Sequence, residues 1–268
     1  MLSARNLPPV WDARMRVEAG DAPRVGRSGE VLVAEWPGLA RLTCDLQGKR
    51  SRFSAVPGAD PGKVRKLRDG AARALLADLR GGLSLHASAV AVGTRAILLV
   101  GAGGAGKSTT AGELCLRHRA RLLADDMASL DVQADSVHVN PTERHHYLTS
   151  SSLSLLGVDS EASQGEKQTV LASRAARTPT PLALVVVLRA DGRRSRPAAR
   201  ALGGADVVRA LLPAIVRFDV RAPRRRELDQ IFTLYARCRV VEISRPMVAG
   251  PESLVGPLVL ETLQGATT

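Results

Sequence analysis

The 268-residue chain has few aromatic side chains, few cysteines and no long apolar run, and each shortage excludes a class of protein. Phe, Trp and Tyr make up only 3% of the residues, so the aromatic stacking platform of single-strand nucleic-acid binders is missing. The three cysteines, Cys44, Cys115 and Cys238, are widely separated and form no CxxC pair, which indicates neither a disulfide framework nor a zinc site. The longest apolar run, residues 182–188, is too short to cross a bilayer.

Acidic residues are also scarce relative to basic ones, and the formal net charge is +12. Lysine occurs only at positions 49, 63, 66, 107 and 167, so the excess of positive charge comes from arginine. A bias toward arginine can reflect genome composition as well as function. The arginines are scattered apart from 193–194 and 224–226. We therefore keep nucleic acid as a minor alternative partner and expect an acidic peptide or protein to suit this charge equally well. The first twenty residues contain five charged side chains and no apolar stretch. We therefore expect neither a signal peptide nor a membrane anchor, and we expect the protein to be cytoplasmic.

Two regions with different patterns follow one another along the chain. Residues 13–56 alternate short apolar stretches (15–19, 30–36, 39–46 and 52–56) with turn formers, which predicts a small, mostly β segment. Breaker residues at 57–62 precede a helical pattern over 64–79, which Gly81 and Gly82 end. We predict an N-terminal segment at 1–80 and an α/β domain at 81–268.

The second region predicts alternating strands and helices. Strands are predicted at 83–92, 96–100, 121–124, 182–188 and 240–243, a hairpin at 128–132 and 137–140, and helices at 107–119, 205–216, 224–236 and 252–263. The seven consecutive apolar residues at 182–188 are typical of a strand buried on both faces. The polar segments 150–168 and 191–204 are predicted to be loops, the first of them near the active site.

A glycine-rich octet matches the pattern G-x-x-x-x-G-K-[ST]. It consists of Gly101, Ala102, Gly103, Gly104, Ala105, Gly106, Lys107 and Ser108, and Thr109 follows it in the predicted helix. Glycines allow backbone N–H groups to surround phosphate oxygens, and the following helix directs its positive end at them. Lys107 would contact the β- and γ-phosphates of ATP, and Ser108 would donate an oxygen ligand to Mg²⁺. An apolar strand before the octet and a helical pattern after it favour a nucleotide site over a chance match.

Two adjacent carboxylates end the predicted strand at 121–124. Asp125 and Asp126 come eighteen and nineteen residues after Lys107, which predicts that their strand lies next to the strand that enters the loop. Adjacent side chains on an extended backbone point to opposite sides, so one carboxylate could bind Mg²⁺ while the other accepts a proton from an attacking hydroxyl. The structural alternative is an acidic turn that caps the next element.

A histidine precedes the loop on the predicted strand at 83–92. Alone, His86 is most simply interpreted as a core residue with satisfied hydrogen bonds. In combination, Leu85-His86-Ala87-Ser88-Ala89-Val90, the phosphate loop and Leu123-Ala124-Asp125-Asp126 resemble the catalytic domain of the HPr kinase/phosphorylase family. The likeness is greatest to its short relatives in peptide-maturation systems, which include lasso peptide precursor kinases. It covers residues 83–140 well and extends more loosely to the C-terminus.

This resemblance implies a P-loop serine kinase fold related to phosphoenolpyruvate carboxykinase, acting on a serine of a protein or peptide. It implies Asp126 as the general base, Asp125 as a Mg²⁺-associated carboxylate, and His86 near the transferred phosphate. The family's glycine- and arginine-containing signature after the aspartates has no convincing copy here, so the resemblance favours a kinase without phosphorylase activity. Full-length relatives form hexamers, and a homo-oligomer stays one alternative for this chain.

Other residues and other functions stay open at this level. Lys167 could contact phosphate or substrate but fits a solvated loop lysine better. Arg144, His145 and His146 could line the acceptor site, and Arg245 could contact the nucleotide, although a surface arginine is the simpler interpretation. A small-metabolite kinase of the shikimate or gluconate type and a non-catalytic ATP-binding adaptor are the alternative functions. A transport ATPase is disfavoured because no Leu-Ser-Gly-Gly signature occurs.

Overall fold

The computed structural model describes residues 10–12, 23–159, 167–217, 225–247 and 250–265. The chain is of mixed α/β type and divides into two compact units, one of residues 1–84 with 216–224 and the other of residues 85–215 with 225–268. The strand predicted at 15–19 lies outside the described residues. Within those described, no helix combines the length and the apolar character needed to cross a membrane.

The first unit contains an antiparallel sheet of five strands. They are β1 Val10–Asp12, β2 Arg24–Ser28, β3 Val31–Trp36, β4 Ala40–Asp45 and β5 Ser51–Ala55, and each pairs with the next along the chain. On β4 the residues alternate between buried and half-buried, which is the period-two pattern of a sheet with one covered face. Trp36 and Leu42 are fully buried on this sheet. The predicted mostly β character of this segment is therefore present in the structure.

A helical stretch follows the sheet between Pro61 and Leu79. It consists of α1 Pro61–Leu67, a π-helical turn at Arg68–Ala72 and α2 Arg73–Leu79. The Asp60 side chain accepts a hydrogen bond from the Lys63 N–H at 2.7 Å and so caps the start of the helix. At the other end Gly81 has a φ of +90°, a left-handed conformation that glycine adopts without strain. The breaker and glycine signals thus locate both ends of the predicted helix.

The second unit contains the remaining nine strands and five α-helices of the described chain. In chain order they are β6 Leu83–Val92, β7 Arg95–Val100, α3 Lys107–Arg117, β8 Arg121–Val132, β9 Val137–Asn140, β10 His145–Thr149, α4 Ser150–Leu156, β11 Lys167–Leu171, β12 Thr180–Ala190, β13 Ala198–Ala201, α5 Ala205–Leu211, α6 Arg225–Arg237, β14 Arg239–Arg245 and α7 Gly256–Gln264.

Seven of these strands form one mixed sheet in the order β13-β14-β12-β7-β6-β8-β9. The strands β7, β12 and β14 are parallel, whereas β6 is antiparallel to β7. The first residues of β12 also pair with β9, so β12, β7, β6, β8 and β9 form a closed circuit of neighbours. This part of the sheet is therefore closed and not open.

The order of the strands corrects one prediction about the site. The aspartate strand β8 does not lie next to the loop strand β7, because β6 lies between them. The chain turns back tightly at Gly93 and Thr94, so β6 and β7 form a hairpin and β6 occupies the position beside β7. Strand β8 then has only the far side of β6 available in this part of the sheet.

Several predicted boundaries also change. The separate strands predicted at 121–124 and 128–132 are one strand, β8, so the two aspartates lie within it. The segment predicted as a loop at 150–168 contains α4 and the start of β11, and that at 191–204 contains β13. These elements are short and their sequences are small and polar, so they depend on tertiary pairing and carry no clear periodicity of their own.

The main core of the second unit lies between the sheet and helices α3 and α7. Leu99 of β7 and Val186 of β12 pack there with Leu114 of α3 and Val259 of α7, and all four are fully buried. Strand β12 lies between two parallel neighbours, and this central position explains its continuous apolar run.

Candidate active site

The phosphate loop lies between the carboxyl end of β7 and the first turn of α3. Gly101 has a φ of +152°, and a Cβ atom there would lie 2.5 Å from the carbonyl oxygen of Leu188 on β12. Gly106 caps α3 with a φ of +100°, in the left-handed region that other residues rarely adopt. Glycine at these two positions is required by the backbone path, and the strand, loop and helix predicted from the sequence are all present.

Lys107, at the first position of α3, is largely buried beneath the loop. Its Nζ donates hydrogen bonds to the carbonyl oxygens of Gly101 at 2.7 Å and Ala102 at 3.2 Å. Burial lowers the pKa of Lys107, and the positive charge of Lys167 lowers it further, against the opposing effect of Asp126 and Asp125. The ammonium group is therefore held where an anion such as a phosphate would be favourable.

Arg245, the last residue of β14, contacts the same loop. Its Nε donates to the carbonyl oxygen of Ala105 at 2.8 Å and its Nη2 to that of Gly104 at 3.1 Å. The parallel strands β7, β12 and β14 all end at one edge of the sheet, which brings Arg245 to the loop from 140 residues away. The interpretation of Arg245 as an ordinary surface residue is wrong. Because a trans peptide directs its C=O and N–H in opposite directions, this contact also turns the Gly106 N–H away from Arg245.

His86 and Asp126 form a contact across β6 and β8. The imidazole Nδ1 lies 3.4 Å from Oδ1 of Asp126. His86 is near the start of β6, and antiparallel pairing places the start of that strand beside the end of β7. Partial burial lowers the pKa of His86, the positive charge of Lys107 lowers it further, and the Asp126 carboxylate opposes both effects. The interaction is therefore that of a neutral imidazole with a carboxylate at neutral pH.

The backbone of Asp126 has an unusual conformation. Its φ is +120°, one of two positive values among the described non-glycine residues. Such a conformation costs of order 1–3 kcal/mol and persists only where surrounding interactions impose it. Asp126 lies within β8 and lines the same cavity as the loop residues Gly103, Gly104 and Gly106.

Asp125, the neighbouring residue on β8, is completely buried. Its Oδ1 accepts a hydrogen bond from Ser88 Oγ at 2.6 Å, and its Oδ2 accepts one from the Tyr147 N–H at 2.9 Å. His146 Nδ1 lies 3.7 Å from Oδ2, and the Asp125 N–H donates to Oε2 of Glu143. Burial raises the pKa of Asp125, but His146, Ser88 and Tyr147 together outweigh it and hold the pKa below its ordinary value. Direct contact of Asp125 with a metal would require replacement of these interactions.

These groups surround one cavity of about 350 Å³, a size within the range of small-molecule sites. The predicted site residues that line it are His86, Gly103, Gly104, Gly106, Lys107, Ser108, Thr109 and Asp126, together with Lys167 and Arg245. Lys167 is the first residue of β11 and is exposed. The cavity thus brings together the loop, the lysine and the aspartate–histidine pair that the sequence placed far apart.

Other predicted residues have different positions. Gly101, Ala102 and Ala105 shape the loop without lining the cavity, and Arg144, His145 and His146 do not line it either. Seven hydroxyl-bearing residues outside the predicted site also line it: Ser88, Thr110, Tyr147, Thr149, Ser151, Ser152 and Ser253. Thr109 Oγ1 and Ser152 Oγ are 2.8 Å apart, so part of this set is hydrogen-bonded to the loop helix. In the sequence, the run of four hydroxyl residues at 149–152 was the signal that could have indicated part of this set.

The described residues include no group of three or more His, Cys, Asp or Glu side chains that could hold a metal ion by themselves. Ser108 and Asp126 are among the described residues with side-chain oxygen atoms that line the cavity together with Lys107.

No protein-family model and no curated protein sequence matches the chain. Among solved structures, the chain is similar to the Hpr(Ser) kinase/phosphatase from Coxiella burnetii, with a TM-score of 0.33 and 15% sequence identity over 68% of this chain and 93% of that chain. Values this low establish neither a shared fold nor a shared function, so the residues of the cavity carry the functional assignment.

Proposed function

We propose that this chain is a kinase that transfers the γ-phosphoryl group of ATP to a serine hydroxyl of a protein or peptide, with Mg²⁺ as cofactor. The observation that carries the proposal is the convergence of the phosphate loop, Lys107 and the strained Asp126 on one cavity of about 350 Å³. A site that only bound a nucleotide would not need a carboxylate in a strained backbone opposite the loop.

The loop and the start of α3 would hold the phosphates through backbone N–H groups and the positive end of the helix. Lys107 would exchange its hydrogen bonds with the Gly101 and Ala102 carbonyls for phosphate oxygens. Ser108 would hold Mg²⁺, which neutralises charge on the β- and γ-phosphates when bound. Arg245 would keep the loop in its phosphate-binding shape through Gly104 and Ala105.

Asp126 would accept the proton of the attacking serine hydroxyl. Neutral His86, 3.4 Å from the carboxylate, can donate a hydrogen bond from Nδ1 and so orient it toward the acceptor. Asp125 would act through position, because its buried network with Ser88 and Tyr147 holds the neighbouring backbone of β8. The sequence-based role of Asp125 as a Mg²⁺ ligand stays a prediction.

The direct test is transfer of labelled γ-phosphate from Mg-ATP to a library of serine-containing peptides, followed by mass spectrometry. The wild-type protein is compared with Asp126→Asn, which keeps the shape of the side chain and removes its basicity, and with Lys107→Ala. We expect rapid formation of phosphoserine only with the wild type. Transfer at the wild-type rate by Asp126→Asn would disprove the general-base role.

The same assay separates the alternative functions. Transfer to shikimate or gluconate, but not to any peptide, would identify a small-metabolite kinase. Binding of ATP without transfer to any acceptor would favour the adaptor.

A further inference from the structure

The exposed strand β11 pairs with the largely buried strand β10 beside the active-site cavity. The two strands are antiparallel, with Lys167 opposite Thr149 and Leu171 opposite His145. In the described part of the chain, β11 pairs with no strand other than β10. Its second edge is therefore available to another strand.

The hydrogen-bond pattern shows which residues face that edge. The Ala172 N–H donates to the Arg144 carbonyl oxygen at 2.9 Å, which makes the adjacent pair of His145 and Leu171 a non-hydrogen-bonded pair. The alternation of the ladder then directs the backbone N–H and C=O groups of Lys167, Thr169 and Leu171 away from β10. Their side chains are also exposed, and Leu171 is 68% exposed.

One end of this edge reaches the active site. Lys167 lines the cavity together with Lys107 and Asp126. Its charge is close enough to lower the pKa of Lys107, second only to burial among the causes. From Lys167 the edge extends over four further residues, a length of roughly 13 Å at 3.3 Å per residue.

We infer that the outer edge of β11 binds an extended segment of the acceptor polypeptide as an added β-strand, an inference that rests on the proposed function. Backbone groups of the segment pair with those of Lys167, Thr169 and Leu171, and an apolar side chain covers the exposed Leu171. The acceptor serine lies beyond the residue that pairs with Lys167, and an acidic side chain near the serine faces the Lys167 ammonium. The substrate class is thus an extended, acidic serine peptide and not a folded surface.

A matched pair of variants tests the edge. Thr169→Pro removes the outward N–H and obstructs strand addition, while the inward hydrogen bonds to β10 stay intact because they belong to Gln168 and Val170. Thr169→Ala shortens the same side chain and keeps the N–H. A phage-displayed library of random 12-residue peptides is selected on the immobilised wild-type protein, and the recovered peptides are synthesised with a fluorescent label.

We expect the recovered peptides to contain an acidic residue next to a serine, to bind wild type and Thr169→Ala equally, and to bind Thr169→Pro at least tenfold more weakly. On the wild-type protein, N-methylation of the peptide backbone should weaken binding at every second position only, which requires no protein variant. Equal binding by Thr169→Pro, uniform effects of N-methylation, or a library without binders would each overturn the assignment.

Phosphate transfer is measured separately on the same peptides. A peptide that binds in this alternating pattern but receives no phosphate would disprove the kinase and leave the edge assignment in place. A peptide that is phosphorylated equally by the wild type, Thr169→Ala and Thr169→Pro would disprove the edge assignment and leave the kinase in place.

Discussion

His86 and Asp126 face each other at 3.4 Å across two strands of the central sheet, although forty residues separate them along the chain. The contact exists because β6 lies between the loop strand and the aspartate strand. It places the imidazole beside the carboxylate, with Lys107 in the same cavity. Five predictions follow from this arrangement and from its surroundings.

Different replacements of Asp126 should show its catalytic role and its backbone strain independently. Asp126→Asn is expected to reduce transfer by about 10²–10⁴-fold, the usual contribution of a general base. Asp126→Gly should be equally inactive but more stable than Asp126→Ala by about 1–3 kcal/mol, because only glycine adopts the φ of +120° without strain. Denaturant unfolding of the two variants measures this difference. Equal free energies of unfolding would show that the backbone at Asp126 is not strained.

The pKa of His86 should respond to the lysines of the cavity. Removal of the Lys107 charge by Lys107→Met is expected to raise the His86 pKa, since that charge lowers it second only to burial. Lys167→Met should raise the His86 pKa less, because the Lys167 charge is the weakest of the effects that shift this pKa. Titration of the His86 ring signal by NMR, assigned with His86→Gln, measures both. A larger rise in the Lys167 variant would contradict the charge arrangement described here.

The contacts of Arg245 with the loop should contribute to nucleotide affinity. Arg245→Ala removes two hydrogen bonds to Ala105 and Gly104, and a net loss of about 1.4 kcal/mol would raise the ATP dissociation constant about tenfold. Arg200→Ala is the matched control. Arg200, on β13, forms an ion pair with Glu242 of β14, the strand that also contains Arg245, and Arg200 does not line the cavity. Calorimetric titration with Mg-ATP should show the change only in the first variant.

Two glycines of the loop should differ sharply in their tolerance of alanine. Gly101→Ala introduces a Cβ atom 2.5 Å from the Leu188 carbonyl oxygen, and we expect a loss of about 1–3 kcal/mol in the free energy of unfolding, together with weaker ATP binding. Gly103→Ala introduces a Cβ with no neighbour within 4 Å and should leave stability unchanged. Thermal unfolding of both variants makes the comparison. Equal destabilisation would disprove the proposed backbone constraint at Gly101.

Glu113 of α3 should make stability depend on pH. It is buried and accepts the Gly256 N–H at 2.9 Å, at the start of α7, and burial raises its pKa above the ordinary value of 4.5. The folded state then binds the proton more tightly than the unfolded state. The free energy of unfolding should therefore fall as the pH rises from about 4.5 through the folded pKa.

Glu113→Gln should remove this decline, so its stability relative to wild type should increase with pH over the same window. His118→Gln should extend the decline to higher pH, because His118, 4.0 Å away, lowers the pKa of Glu113. Denaturant unfolding between pH 4 and pH 8 tests both. A pH dependence of Glu113→Gln equal to that of wild type would contradict the prediction.

Local patterns were sufficient for the elements that contain their own signals. The loop from Gly101 to Ser108 could be located from the sequence because the apolar strand, the glycines and the helix are contiguous. The helix that ends before Gly81 and the buried strand β12 were recognised for the same reason. By contrast α4, β11 and β13 are short and polar, and α4, β13 and the start of β11 were predicted to be loops.

Long-range placement of single residues could not be predicted. Arg245 reaches the loop only because β14 pairs with β12 and β12 with β7, an order that no local periodicity contains. The burial of Asp125 depends on Ser88 from β6 and on Tyr147 from β10, neither of which is near it along the chain.

The sequence by itself determined that a glycine loop with Lys107 follows a buried strand and that two carboxylates come shortly after it, because these features depend on neighbouring residues alone. Only the tertiary structure decided that Asp126 faces the cavity beside His86 while Asp125 is enclosed. Strand order and register are decided by the packing of the whole sheet, since each pairing joins segments that have no interaction until the core has formed.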